Sequence, residues 1–159
     1  MTYAIQMPRL ETDLDQQLEL RAIERLREWY DYQFTKLPEL SPMDYLMSND
    51  VEVVAGIEIK TRKETPEQIK EYGKLILKWR KYQELNAIGQ LLHIPTYVLF
   101  AFENSEGQLS LLNIQALEKT NPKPADPPIR RNYRGLACDE EPVIYFDWHL
   151  LTIVREPHA

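Results

Sequence analysis

The stretch VEVVAGIEIKTR, residues 51–62, constrains the fold of this chain more than any other segment. It is rich in β-branched residues and alternates with period two, as a strand does. Val51, Val53, Ala55, Ile57 and Ile59 share one face, and Glu52, Val54, Gly56, Glu58 and Lys60 share the other. On this pattern the strand buries one apolar face and leaves its charges on the other, so no charge need be buried. Thr65-Pro66 follows almost at once, an N-cap and a first-turn proline, with Glu67 as first-turn acid.

Around this strand the other elements fall into order. Residues 11–31 carry Leu14, Leu18, Ala22, Leu26 and Trp29 on a one-sided helical stripe, with Thr12 as N-cap and Asp13 and Asp15 in the first turn. YQFTKL reads as a strand broken by PELSP, and MDYLM reads as a short strand that the SND turn joins to 51–62. From Pro66 the spacing predicts one helix to residue 92, with Ile69, Tyr72, Ile76, Trp79 and Gln83 on one side. TYVLFAF has the length and apolarity of a central strand covered on both faces, and ENSEGQ turns it into LSLLNI as a hairpin. The proline-dense segment 119–142 reads as a loop or arm, and VIYFDWHLLTIV closes the chain as a last strand with a short helical turn. With no internal repeat and no second core, one domain is expected over residues 1–159, its core at about 11–118 and its last strand at about 143–154.

Composition excludes several classes of protein. A chain of 159 residues, 43% hydrophobic and 28% charged, can bury a core without staples. Cys138 is the only cysteine, which rules out an intramolecular disulfide framework and fits a reducing compartment, the cytoplasm by default. No apolar run approaches the ~20 residues of a membrane span, and the N-terminal residues lack the pattern of a secretory signal. The net charge of −6 argues against a passive nucleic-acid coat. It argues less against an enzyme whose carboxylates gather metal ions, because the cations reverse the local field. His93, His149 and His158 lack zinc spacing, and there is no glycine-rich phosphate loop or local serine or cysteine nucleophile context.

The chemistry therefore rests on acids and lysines. Glu58 and Lys60 leave the same face of one strand about 6–7 Å apart and can address one small ligand together. None of the other eight lysines has an acid two residues before it. Asp44 opens the preceding strand, 14 residues before Glu58. A regular hairpin around SND sets Asp44 opposite Val54, so bringing it to Glu58 requires a bulge, for which Ala55-Gly56 is the candidate position. Two carboxylates with a lysine suit phosphodiester hydrolysis: Mg²⁺ is held by one or two carboxylates plus water and substrate phosphate, and an ammonium orients the water or stabilises developing charge.

The order helix, strand, Asp-bearing strand, Glu-x-Lys strand, long helix, strand, with SPMDYL, then GIEIK, then IPTYVLFAF, resembles the PD-(D/E)XK nuclease superfamily over residues 14–103. The closing IRRNYRGLACDEEPVIYFDWHLL resembles the tail of small phage-type members. The resemblance implies an α/β fold with a restriction-endonuclease-like core, a central mixed β-sheet flanked by helices in the order αβββαβ, with an added C-terminal hairpin or strand. It implies a Mg²⁺- or Mn²⁺-dependent deoxyribonuclease in which Asp44, Glu58 and Lys60 take the acid, acid and lysine positions. A further metal-binding acid on the first helix falls to Glu19, Glu24 or Glu28, and Glu19, which borders the apolar stripe, is the choice. One departure is that proline stands two residues before Asp44 instead of adjacent to it.

DNA is the implied partner, and a homodimer is compatible with the reading. Arg62 and Lys63 follow the Glu-x-Lys strand at a distance the chain fixes. Lys70, Lys74, Lys78 and Lys81 would form a row on the long helix that tracks a phosphate backbone, with Lys78 the strongest candidate, or would simply be its polar face. Arg131 and Arg134, with Arg130 and Tyr133, set cations and an aromatic on the proline-flanked loop, suited to phosphate contact and stacking or to plain solvation. The rival reading is a catalytically inactive nuclease-like module that binds DNA or a protein.

Overall fold

The computed structural model describes residues 13–103, 108–125, 129–131 and 139–155. The first helix, Asp13–Trp29 (α1), has Asp13 and Asp15 in its first turn and Arg27 in its last, both favourable to the helix dipole. It buries Leu18, Ala22, Ile23 and Leu26 with Glu19 beside them, whereas Leu14 stays half exposed; Thr12 lies outside the described residues. Gln33–Lys36 (β1), Tyr45–Ser48 (β2) and Val53–Arg62 (β3) then form an antiparallel meander.

The long helix expected over 66–92 is instead a helix, a strand and a second helix: Pro66–Tyr72 (α2), Lys74–Lys78 (β4) and Trp79–Leu92 (α3). Thr65 caps α2 as expected, and Gln68 closes a reciprocal capping box with it. Gly73 ends α2 in the left-handed conformation at φ 80°, where any other residue would be strained. Beyond it Leu75 and Leu77 alternate inward, so KLILK obeys a period of two. Its ladder partner is Val143–Asp147, far along the chain. Of the expected stripe, Ile69 is buried, while Tyr72 is 73% exposed at the end of α2.

Thr96–Phe102 (β5) pairs in parallel with β3 and is the covered central strand expected, and Gln108–Asn113 (β6) returns antiparallel to it. Ile114–Glu118 (α4) follows, with Asn113 as its cap. Within the proline-dense segment Ile129–Arg131 (β7) and Asp139–Glu141 (β8) pair as a short ladder, so the segment is not wholly a loop. The expected last strand is two: Val143–Asp147 (β9) pairs with β4, a 3-10 turn at Trp148–Leu150 intervenes, and Leu151–Val154 (β10) joins β6.

Among the described residues the main sheet runs β1-β2-β3-β5-β6-β10, mixed in direction and flanked by helices: a restriction-endonuclease-like core. On one face α1 packs over Ile57, Ile59, Leu99 and Ala101. On the other, α2, α3, α4 and the β4–β9 ribbon cover Val98, Phe100, Phe102 and Leu112. Because β3 lies inside this sandwich, its charged side is not solvated as the alternation suggested. Glu58 is 6% exposed. No helix among the described residues is long and apolar enough to cross a membrane.

Candidate active site

Asp44 and Glu58 meet through the hairpin β2–β3. The Asp44 N–H donates to Ile57 O at 3.0 Å, its Oδ2 accepts from the Ile59 N–H at 2.8 Å, and its own carbonyl accepts from Leu37 N–H at 2.8 Å. The aspartate is therefore fixed by both chain neighbours of Glu58. The register that does this is Tyr45 opposite Ile57 and Leu46 opposite Gly56, not the pairing of Asp44 with Val54. Two features move it. The loop spans residues 49–52, closed by Asn49, whose Oδ1 accepts from the Val51 and Glu52 N–H groups at 2.8 Å. The irregularity falls between Met47 and Ser48, where Met47 faces Ala55 and Ser48 faces Val53, leaving Val54 as the extra residue.

The bulge is thus at Val54 and not at Ala55-Gly56. Gly56 serves another purpose: a Cβ built on it would lie 2.2 Å from Met43 Sδ. Its missing side chain lets the residue before Asp44 cross β3 closely.

Glu58 Oε1 lies 3.3 Å from Lys60 Nζ and 3.4 Å from Lys81 Nζ. Burial pushes the Glu58 carboxyl above the usual glutamate range, and the Asp44 charge raises it further, while Lys60 and Lys81 pull against that rise. Lys81 also donates to Pro42 O at 2.9 Å, so one ammonium ties α3 to the segment that carries Asp44 and to Glu58 itself. Sequence reasoning favoured Lys78 from the lysine row and left Lys81 aside. With 66–92 split into three elements, the row does not exist as one helix face.

Glu19, on α1, is buried and ion-paired with Lys36 of β1. Burial opposes the Lys36 charge, but the Glu19 hydrogen bond and charge, with Tyr45 and Asp44 beyond, hold its pKa above the usual lysine value. Lys36 also stands over the Tyr45 ring at 4.9 Å. Thr61 Oγ1 donates to Asp15 Oδ1 at 2.9 Å, which fastens the start of α1 to the end of β3.

Glu19 separates two clefts. Asp44, Lys36 and Tyr45 line the first with it. Lys60, Arg62, Lys78 and Lys81 line the second, about 310 Å³ in volume, with Asp15. Of the expected acids, lysine and DNA contacts, Asp44 and Glu19 line the first cleft and Glu19, Lys60, Arg62 and Lys78 the second. Glu58 lines neither and reaches the second through its ion pairs with Lys60 and Lys81. Lys63 is exposed beyond it and does not line it. Arg62 is half-buried, its guanidinium donating to Thr61 O and Ile76 O and lying 5.3 Å from the Phe100 ring centre. Arg131 lies on β7 opposite Asp139, with only its backbone described, and Arg134 lies outside the described residues. Among the described residues no three His, Cys, Asp or Glu side chains gather closely enough to hold a metal ion by themselves.

Residues 5–154 match the family described as "Phage putative PDDEXK endonuclease". The chain belongs to this family. The fold agrees: a Holliday junction resolvase, Hjc, from the archaeal hyperthermophile Archaeoglobus fulgidus superposes with a TM-score of 0.55 at 13% identity, over 87% of this chain and 90% of that one. D212, a nuclease from a fusselovirus, gives a TM-score of 0.48 at 10% identity over 88% of this chain and 83% of that one. No curated protein matches the sequence. The partner of Glu58 that the sequence did not single out is Lys81, and its position at the start of α3 becomes readable only once β4 is recognised.

Proposed function

We propose that the chain, as one nuclease domain spanning 1–159, is a metal-dependent deoxyribonuclease in which Asp44 and Glu58 hold Mg²⁺ or Mn²⁺ and Lys60 assists the attacking water. The observation that carries this reading is the bracketing of Asp44 by the backbone of Ile57 and Ile59, beside a buried Glu58 that has Lys60 at 3.3 Å. The donor set fits a hard cation: both groups are carboxylates, and Glu58 bears a charge that burial and Asp44 both oppose, an imbalance that a divalent ion relieves. Two carboxylates suffice for Mg²⁺, whose other ligands are water and substrate phosphate. Glu19 lines both clefts and is the third acid able to join them, by releasing Lys36.

When bound, the metal supplies Lewis-acid polarisation of the phosphoryl group and a water of lowered pKa. The chain does the rest. Glu58 orients the Lys60 ammonium, which keeps 30% of its side chain open to the second cleft and from there can donate to the water or to a phosphoryl oxygen. Arg62 and Lys78 line the same cleft and offer positive charge to the flanking backbone. Lys63, Arg131 and Arg134 are the further DNA contacts of this reading.

The test is incubation with plasmid and branched DNA in Mg²⁺, Mn²⁺ or EDTA. Cleavage that requires the metal and disappears in Glu58→Ala and Lys60→Ala supports the assignment, whereas cleavage that survives Glu58→Ala overturns it. A second reading, a non-cutting DNA- or protein-binding module, draws on the two lysines that already neutralise Glu58. It requires that Mn²⁺ does not bind and that DNA affinity persists in Lys60→Ala.

A further inference from the structure

The cationic cleft does not end at Arg62. Arg62 and Ile76 are shared with a neighbouring cleft of about 370 Å³, whose other walls include Tyr72, Leu75, Tyr145 and Glu64. Tyr72 is 73% exposed and Tyr145 47% exposed, two aromatic rings left in solvent. Their placement is fixed by backbone: Tyr72 closes α2 just before the left-handed turn at Gly73, and Tyr145 lies opposite Ile76 in the β4–β9 ladder. The two clefts differ in chemistry. The first has four cations against two acids, suited to phosphate. The second has one shared cation, one acid and mostly aromatic and aliphatic walls, suited to a flat uncharged group.

Lys60 and Arg62 leave the same face of β3 about 6–7 Å apart, a distance comparable to one nucleotide step of an extended strand. We infer that the Tyr72–Tyr145 cleft is a stacking subsite for an unpaired nucleobase next to the phosphate held at Lys60 and Arg62. The inference rests on the nuclease reading for the identity of that phosphate. It makes the substrate class DNA with unstacked bases beside the cut, single-stranded or splayed, because a base inside a duplex stack presents no free face to a tyrosine.

The test is anisotropy of a fluorescein-labelled oligo-dT in EDTA, with wild type, Tyr72→Ala, Tyr145→Ala and the corresponding Phe variants, and the same series on an abasic strand of equal length. Removing one stacked aromatic weakens binding by roughly five- to 140-fold. Each Ala variant should lose oligo-dT affinity in that range, the Phe variants should keep it, and all should bind the abasic strand as wild type does. Ala variants that bind oligo-dT like wild type, or that lose abasic binding equally, overturn the subsite. Because binding is read without metal or cleavage, a chain that cuts nothing yet shows this tyrosine dependence retains the subsite and loses the nuclease reading. One that cuts in a Glu58-dependent way but binds both strands alike has the opposite result. Circular dichroism confirms folding of each variant, and exposure at both positions keeps the substitutions mild.

Discussion

Asp44 has two separable duties, and a pair of substitutions pulls them apart. Its Oδ2 accepts from the Ile59 N–H at 2.8 Å in a partly buried position. A hydrogen bond to a charged acceptor contributes about 1.5–3 kcal/mol, and removing the acceptor leaves the amide of a central strand unpaired. Asp44→Ala should therefore destabilise the protein by about 2 kcal/mol, which for a chain of this size lowers the melting temperature by roughly 4–8 °C. Asp44→Asn keeps an amide oxygen for Ile59, loses only the charge assistance, and removes the repulsion on Glu58, so its cost should stay below about 1 kcal/mol. Urea denaturation in EDTA measures both. Metal-dependent cleavage should vanish in both variants alike, because Asn supplies no carboxylate. An Asp44→Ala protein as stable as wild type would refute the structural duty. Cleavage by Asp44→Asn near the wild-type rate would refute the catalytic one.

Glu58→Gln should abolish cleavage yet raise stability at neutral pH in EDTA. The folded-state pKa of Glu58 lies above its unfolded value, so its favourable contribution is present below the unfolded pKa, about 4.3, and is lost as pH rises through the folded pKa. The gain from Glu58→Gln should shrink toward pH 4, and urea curves across that range check it. Lys81→Ala removes the donor to Pro42 O and one partner of Glu58, and should cost about 1.5–3 kcal/mol with a fall in kcat larger than any change in KM for DNA. Gly56→Ala forces a Cβ onto Met43 Sδ and should cost about 1–3 kcal/mol. Combined with Met43→Ala it should be non-additive, the double variant losing less than the sum, and a strictly additive cycle would show that Met43 already has room to move.

The sequence carried the strands and their order because hydrophobic alternation is local, and it carried Glu58 and Lys60 because their spacing needs nothing but one strand. Burial of Glu58 was not legible. Alternation assigns it to an open face, and only the layer of α3 and the β4–β9 ribbon, assembled from distant residues, closes that face. The same distance hid β4. KLILK satisfies a helical period when read within 66–92, and Gly73 between Tyr72 and Lys74 was the local hint that it does not. The deciding partner, β9, begins 65 residues after Lys78. Glu19 was placed near the buried stripe by helical spacing alone, but its ion pair with Lys36 comes from β1 and has no local signature.

The meeting of Asp44 and Glu58 shows how small a change in register decides whether a site exists. A tight turn at SND sends Asp44 to Val54, about four residues from Glu58 and more than 10 Å away along β3 at a strand's rise per residue. Moving the turn to residues 49–52 and inserting Val54 as one extra residue brings Asp44 between the amides that flank Glu58. Asn49 stabilises that longer loop with two side-chain hydrogen bonds, far from any reacting atom. A residue that touches neither substrate nor carboxylate thus helps determine whether the two acids adjoin. Side-chain pattern around a turn is weaker information than the turn chemistry itself, and in this hairpin Asn49 was the residue to read.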